Sequence, residues 1–207
     1  MNRRRLEGEA IRDAMLVAAD RLSLRKGGPG VMAPLPQELL NTLRKDQWKV
    51  TGDEEDHRRR SVYLFVRRNL RYPLFDAFDR PDTNASCPRR NRSTTAPQAL
   101  VLLNSEFSFN AARDLAGYLF NSGKTGPQAR IDLLYQRTLG RSPTSEERAA
   151  SEVFLKTQAA IVARGETRPQ PPAVPLSKPS DIEPKEAMAW INLCLAMFNL
   201  NEFVYID

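Results

Sequence analysis

The sequence is poor in the residues from which most active sites are built. It holds one histidine, His57, and two widely separated cysteines, Cys87 and Cys194. These cannot by themselves complete a four-cysteine, two-cysteine-two-histidine or three-histidine metal site, and no Cys-x-x-Cys-His haem attachment motif occurs. No run approaches the ~18–20 consecutive apolar residues that a bilayer span requires, and the opening Met1-Asn2-Arg3-Arg4-Arg5-Leu6-Glu7-Gly8-Glu9 lacks the apolar segment of a signal peptide. The chain as written is therefore expected neither to span a membrane nor to direct its own export.

Apolar residues make up 41% of the 207, with nine Phe, five Tyr and two Trp. That is enough to bury a core against the entropy of ordering the chain, which excludes wholesale disorder and fits one domain, or one domain plus a part of another. The formal charge of +6 is unevenly spread. Residues 1–100 carry 20 basic against 13 acidic side chains, whereas residues 101–207 carry 11 against 12. Within residues 58–92 the ten cations, Arg58, Arg59, Arg60, Arg67, Arg68, Arg71, Arg80, Arg89, Arg90 and Arg92, face only Asp76, Asp79 and Asp82. All ten are arginine, whose planar fork suits carboxylate, phosphate and backbone carbonyl groups alike. A nucleic-acid face favours mixed Lys and Arg with a reading motif, and no zinc finger, basic zipper or RNP-type aromatic pair is present, so nucleic acid is disfavoured as a partner. The arginines are expected to act mainly as internal wiring.

Hydrophobic periodicity predicts a mainly α fold, a helical globular domain with a small internal antiparallel β-hairpin. Leu6, Ile11, Met15, Ala18 and Leu22 mark an amphipathic helix over residues 6–25, stopped by Gly27-Gly28-Pro29. A short helix is expected over 37–47. Trp48-Lys49-Val50 and Ser61 to Arg67, rich in β-branched and aromatic residues, predict the hairpin, at about 48–67 and covered on both faces. Residues 73–92 read as a long ordered loop anchored by Phe75 and Phe78. Thr95-Ala96-Pro97-Gln98 is a capping box with Pro in the first turn, opening a helix whose unbroken apolar run, residues 99–103, predicts burial all round. Helices over 108–120, 129–139 (closed by Gly140) and from Thr144-x-x-Glu147 to 163 follow. The domain is expected to run over 1–164, with a Pro-rich connector at 165–179. A last helix, opened by Ser180-x-x-Glu183, and an apolar tail then dock back over 180–207.

The sharpest chemical candidate is an anion site at the start of the Pro97 helix. Unpaired N–H groups and the helix dipole there favour negative charge, Arg89, Arg90 and Arg92 lie just upstream, and Thr94 and Thr95 add hydroxyls. A sulfate, phosphate or uronate of an acidic glycan is the ligand class. The competing expectation is that Thr95 only caps the helix while the arginines pair with Asp76, Asp79, Asp82 or the carboxyl terminus. Asp76, Asp79 and Asp82, three apart, are candidate acid-base or metal carboxylates, but Pro81 breaks the turn and salt bridging is the simpler use. His57 is expected to be solvated, and the two cysteines either to pair or to remain thiols. No catalytic, metal or cofactor residue is assigned in this chain.

Motifs along nearly the whole chain carry a resemblance: Arg4-Arg5-Leu6-Glu7-Gly8-Glu9-Ala10-Ile11-Arg12-Asp13, Gly27-Gly28-Pro29, Arg60-Ser61-Val62-Tyr63 through Phe75-Asp76-Ala77-Phe78-Asp79, Cys87-Pro88-Arg89-Arg90, Thr95-Ala96-Pro97-Gln98-Ala99-Leu100, Leu139-Gly140-Arg141-Ser142-Pro143-Thr144 and Phe198-Asn199-Leu200-Asn201-Glu202-Phe203. They resemble the C-terminal part of a planctomycete domain of unknown function that follows cytochrome-c-like domains in large exported proteins. The resemblance implies a periplasmic or extracellular location, upstream domains of a parent protein as partners, and haem in an upstream domain and not in this chain. It also implies that the chain begins inside the family's domain, as a fragment or shortened reading frame. It brings no reaction with it. The expected function is thus a non-catalytic structural or ligand-binding module; the alternative is part of an enzyme site completed by upstream sequence.

Overall fold

A computed structural model describes residues 3–44, 46–68, 70–165 and 182–206. Among them the fold is mainly helical, with one small two-stranded antiparallel sheet. The elements run β1 (Arg4–Arg5), α1 (Gly8–Ala18), α2 (Gln37–Leu40), α3 (Pro73–Ala77), α4 (Ala96–Asn104), α5 (Glu106–Asn121), α6 (Pro127–Leu139), α7 (Ser145–Ala163), α8 (Pro184–Phe198), α9 (Asn201–Val204) and β2 (Tyr205–Ile206). Two 3-10 turns, Asp56–Arg58 and Ser61–Tyr63, lie between α2 and α3.

Helix α8 is the centre of the core. It packs on α5 and α7 and buries Trp190, Ile191, Leu193, Cys194, Met197 and Phe198. Trp190 meets Phe120 of α5 edge-on, with centroids 6.1 Å apart, an arrangement that adds to the ~1.5–3 kcal/mol typical of burying one large apolar side chain. Burial pushes the Cys194 thiol up, well above the usual range. Cys87 is exposed, and both cysteines are free. Thr144 accepts from the Glu147 N–H at 3.2 Å and donates its own N–H to Glu147 at 2.8 Å, the reciprocal capping box that the sequence announced for α7. Gly140 closes α6 at φ +72°, a conformation that side chains with a Cβ rarely adopt.

Helix α1 is shorter than its periodicity suggests. It stops at Ala18 because Asp20 turns left-handed, φ +57°, and the N–H groups of Arg21 and Asp20 close back on the carbonyls of Leu16 and Val17. This is a Schellman closure with Asp in the position usually given to glycine. Gly27-Gly28-Pro29 belongs to the loop beyond it.

The small antiparallel sheet exists but is not a hairpin at 48–67. It joins the two ends of the described chain, Arg4 opposite Ile206 and Arg5 opposite Tyr205, with the Leu6 N–H donating to the Val204 carbonyl at 2.8 Å. The apolar tail thus docks, with Phe203 and Val204 buried. Residues 61–67 instead accept Val31 as a neighbour. Val31 N–H donates to Tyr63 O, and Phe65 N–H donates to Val31 O, both at 2.8 Å, giving a single parallel bridge. The strand-like composition finds a partner too short to extend a ladder. Nor are both faces covered: Val62, Phe65 and Val66 are exposed while Leu64 is buried.

Helix α4 departs in the same direction. Only Gln98 and Leu102 are buried along it, and Leu100 and Leu103 are 55% and 42% exposed. An unbroken apolar run cannot by itself say how many sides have neighbours, and α4 lies on the rim of the bundle. Past Gly165, the expected Pro-rich connector and the Ser180 cap lie outside the described residues; α8 begins after Glu183.

Candidate functional site

The sequence-marked residues gather along a seam between the N-terminal segment and residues 57–98. Its first cluster forms around Asp79. Helix α3 ends by a second Schellman closure, Arg80 N–H to Phe75 O at 3.0 Å and Asp79 N–H to Asp76 O at 3.3 Å, and Asp79 is again left-handed, φ +59°. This backbone turns the Asp79 carboxylate toward Arg5 and Ser93. Arg5 donates to it at 2.6 Å, the Ser93 N–H at 2.7 Å, and the Ser93 hydroxyl at 2.8 Å. Arg5 is buried with its guanidinium carbon 5.0 Å from the Phe78 ring centroid, and its Nε and one Nη have no hydrogen-bond partner.

Buried Gln98 continues the cluster, donating to the Ser93 carbonyl at 3.1 Å and accepting from the Thr95 N–H at 3.3 Å. Thr94 shares a hydrogen bond with the Tyr205 hydroxyl at 3.1 Å. Arg90 turns away from the helix start to Glu7 and Glu9, at 2.9 and 3.1 Å. The hydrogen bonds it donates to Glu9 hold the Arg90 pKa above its usual value. Arg80 reaches Glu9 at 4.0 Å and lies over Phe75. Gly8 lets this layer close: a Cβ there would sit 3.1 Å from Phe78 Cβ and 3.2 Å from Phe75 Cα.

The second cluster is built on Arg12 of α1, which is 1% exposed. It donates to the carbonyls of Arg59 and His57 and to the Ser61 hydroxyl, with its guanidinium over the Phe107 ring. Asp13 beside it accepts from both Ser61 N–H, 2.8 Å, and Ser61 Oγ, 2.6 Å. Arg59, equally buried, donates to the Gly27 carbonyl and lies 4.0 Å from the Tyr63 ring centroid. His57 is half-buried, its Nε2 2.7 Å from the Thr51 carbonyl, and is not the solvated side chain expected.

The five candidate anion residues therefore occupy one stretch of surface but serve different ends. Thr95 is the N-cap of α4, Thr94 ties the tail, Arg90 is held by glutamates, and Arg89 and Arg92 are exposed with no ion pair among the described residues. Asp76 and Asp82 both accept from Arg71, at 2.8 and 3.3 Å. The Asp82 carboxyl is held below its usual value first by the backbone N–H and the side-chain amide of Asn84 and then by Arg71. The sequence pointed to pairing of these acids, but not to Arg5 as the partner of Asp79 or to the carbonyl-binding role of Arg12. Both lie outside the arginine-dense stretch, and only a buried-face position in the α1 stripe could have flagged Arg12.

A cavity of about 660 Å³ lies elsewhere, between the start of α6 and helices α7 and α8, lined in part by Pro127, Glu152, Leu155, Lys156, Glu186 and Trp190. Among the described residues no cluster of three or more His, Cys, Asp or Glu could hold a metal, and no helix is long and apolar enough to cross a membrane.

The model of the PSD1 family, Protein of unknown function (DUF1553), matches residues 1–155, and so takes in the whole charged seam. The chain belongs to the PSD1 family. Neither the curated proteins nor the solved structures contain a match to it. In this PSD1 chain both clusters, Asp79 with Arg5 and Ser93, and Arg12 with Arg59 and Ser61, fall inside the matched region.

Proposed function

We propose that this PSD1 chain is a non-catalytic structural module, whose charged motif residues lock irregular segments onto a helical bundle, and that it packs against upstream domains of a larger exported protein. The observation that carries the reading is the internal engagement of Asp79, whose two oxygens accept from Arg5, the Ser93 N–H and the Ser93 hydroxyl. A catalytic carboxylate keeps an oxygen free for substrate, and its replacement commonly leaves stability unchanged or higher. A structural hub does the reverse. The likeness to a domain that follows cytochrome-c-like domains supports the upstream partners and the exported setting. The test is the unfolding free energy of Asp79→Asn in the purified chain. A clear loss supports the structural role, and an unchanged or raised value defeats it.

A further inference from the structure

The outward side of α4 carries Ala96, Ala99, Leu100 and Leu103, at i, i+3, i+4 and i+7, and all four are exposed. This is the spacing of a buried helical stripe, on the side of the helix that faces water, while its other side, Gln98 and Leu102, is already packed. A solvent face normally alternates charge with small polar groups; this one has no charged residue between Thr95 and Asn104.

The flanks of the stripe differ in sign. Exposed Arg89 and Arg92 precede it, and exposed Glu106 follows it. None of the three has an ion pair among the described residues, in a chain whose other seam arginines are largely committed. A two-fold axis through the middle of the stripe lays a second α4 antiparallel on the first. It sets the basic flank of each protomer at the same end as the acidic flank of the other, so that the two flanks are complementary in charge. We propose that α4 is the contact of a homodimer, the occupant of its apolar face being the α4 of a second copy of this chain. Nine residues of helix span about 14 Å, less than the ~800 Å² per partner of a standard interface calls for, so the association is weak and depends on concentration.

Sedimentation velocity of the purified chain, from micromolar to about 1 mM, tests this. The wild type is expected to shift from monomer to dimer across the range, and Leu100→Asp, at the centre of the stripe, to raise the dissociation constant about tenfold or more. Glu106→Arg alone should weaken the dimer, and the exchange Arg92→Glu with Glu106→Arg should restore it. Leu103→Lys serves as a second stripe variant, and far-UV circular dichroism confirms that each variant is folded. A chain that stays monomeric throughout, or a dimer indifferent to Leu100→Asp and Leu103→Lys, overturns the proposal. Failure of the charge exchange to restore association overturns the antiparallel pairing.

Discussion

The Asp79 position is under two opposed demands, and substituting it separates them. Its left-handed backbone, φ +59°, costs an L-residue about 1–2 kcal/mol that glycine would not incur. Its carboxylate holds Arg5 at 2.6 Å, in a pair whose side chains are 5% and 21% exposed. Removing one partner of a buried pair costs roughly 3–5 kcal/mol, because the other charge is left without compensation. The partial exposure of Asp79 places this case at the low end, and loss of the Ser93 hydrogen bonds adds to it. Asp79→Ala is therefore expected to lose about 3–4 kcal/mol. Asp79→Gly should lose about 1 kcal/mol less, since the same pairing is lost but the backbone relaxes. Asp79→Asn, which tolerates the left-handed turn and can still accept from Ser93, should lose least, about 2 kcal/mol.

Urea unfolding followed by tryptophan fluorescence measures these differences, with Trp190 buried against Phe120 as reporter. By melting temperature Asp79→Ala should fall by about 6–16 °C, at the ~2–4 °C per kcal/mol expected for a chain of this size. The diagnostic is the order Asn, Gly, Ala in increasing loss. If Asp79→Asn matches the wild type within about 0.5 kcal/mol, the ion pair does not hold the fold. If Asp79→Gly is more stable than Asp79→Asn, backbone strain outweighs pairing at this position and the ion pair is not what holds the turn.

Gly8→Ala forces a methyl group to 3.1–3.3 Å from Phe78 and Phe75, one contact being backbone, so it should lose about 1–3 kcal/mol although alanine favours helices; equal or greater stability in urea would count against the close packing of α1 on α3. Arg12→Lys, which cannot reach the His57 and Arg59 carbonyls and Ser61 Oγ together, should lose about 2 kcal/mol or more, whereas the exposed Arg68→Ala and Arg89→Ala should stay within about 0.5 kcal/mol, and similar losses at all three would contradict the division into wired and free arginines. Glu147, held down to about 2 first by the Arg141 guanidinium and then by the Thr144 N–H, has a folded pKa below its unfolded one. Its contribution to stability is present above the ordinary glutamate pKa and lost as pH falls toward 2. Wild type should therefore lose stability more steeply than Glu147→Gln between about pH 4.5 and 2; parallel pH profiles would remove this pair from acid unfolding.

The helical half was legible because its signals are local. Capping residues Thr95 and Thr144, the terminator Gly140 and the i, i+3, i+4 stripes of α5 to α8 each need only a few neighbours in sequence, and the structure places helices where they predict them. The first half was less legible because its pairings are distant. Ser61 to Arg67 has the composition of a strand, yet its hydrogen-bond partner is Val31 and not residues 48–50, and one parallel bridge does not make a sheet. Asp20 ends α1 in a conformation that sequence rules assign to glycine, so the helix stops before its apolar pattern does. In the candidate site, pairing among Asp76, Asp82 and Arg71 follows from proximity in sequence, whereas Arg5 with Asp79 and Arg90 with Glu7 and Glu9 join segments that only the tertiary fold brings together.

The choice of arginine over lysine in the first half follows from the same scarcity of regular structure. Helices and ladders satisfy their own carbonyls; an irregular segment that is nonetheless partly buried must find donors elsewhere. Here guanidinium groups supply them. Arg12 bridges the carbonyls of His57 and Arg59, Arg59 takes Gly27, Arg67 takes Gln47, and Arg137 closes the last carbonyls of α1 at Val17 and Ala18. A lysine ammonium is a compact point charge without a rigid planar fork and carries a heavier hydration cost on burial, so it is less suited to holding neighbouring carbonyls while lying against an aromatic ring. Arg12 on Phe107 and Arg137 on Tyr118 each hold two carbonyls while resting on a ring, and Arg59 on Tyr63 holds one. A stretch rich in arginine, empty of lysine and weak in helical or strand periodicity is therefore what an irregular, internally fastened segment should look like in sequence, and its positive charge by itself is no indication of a polyanion.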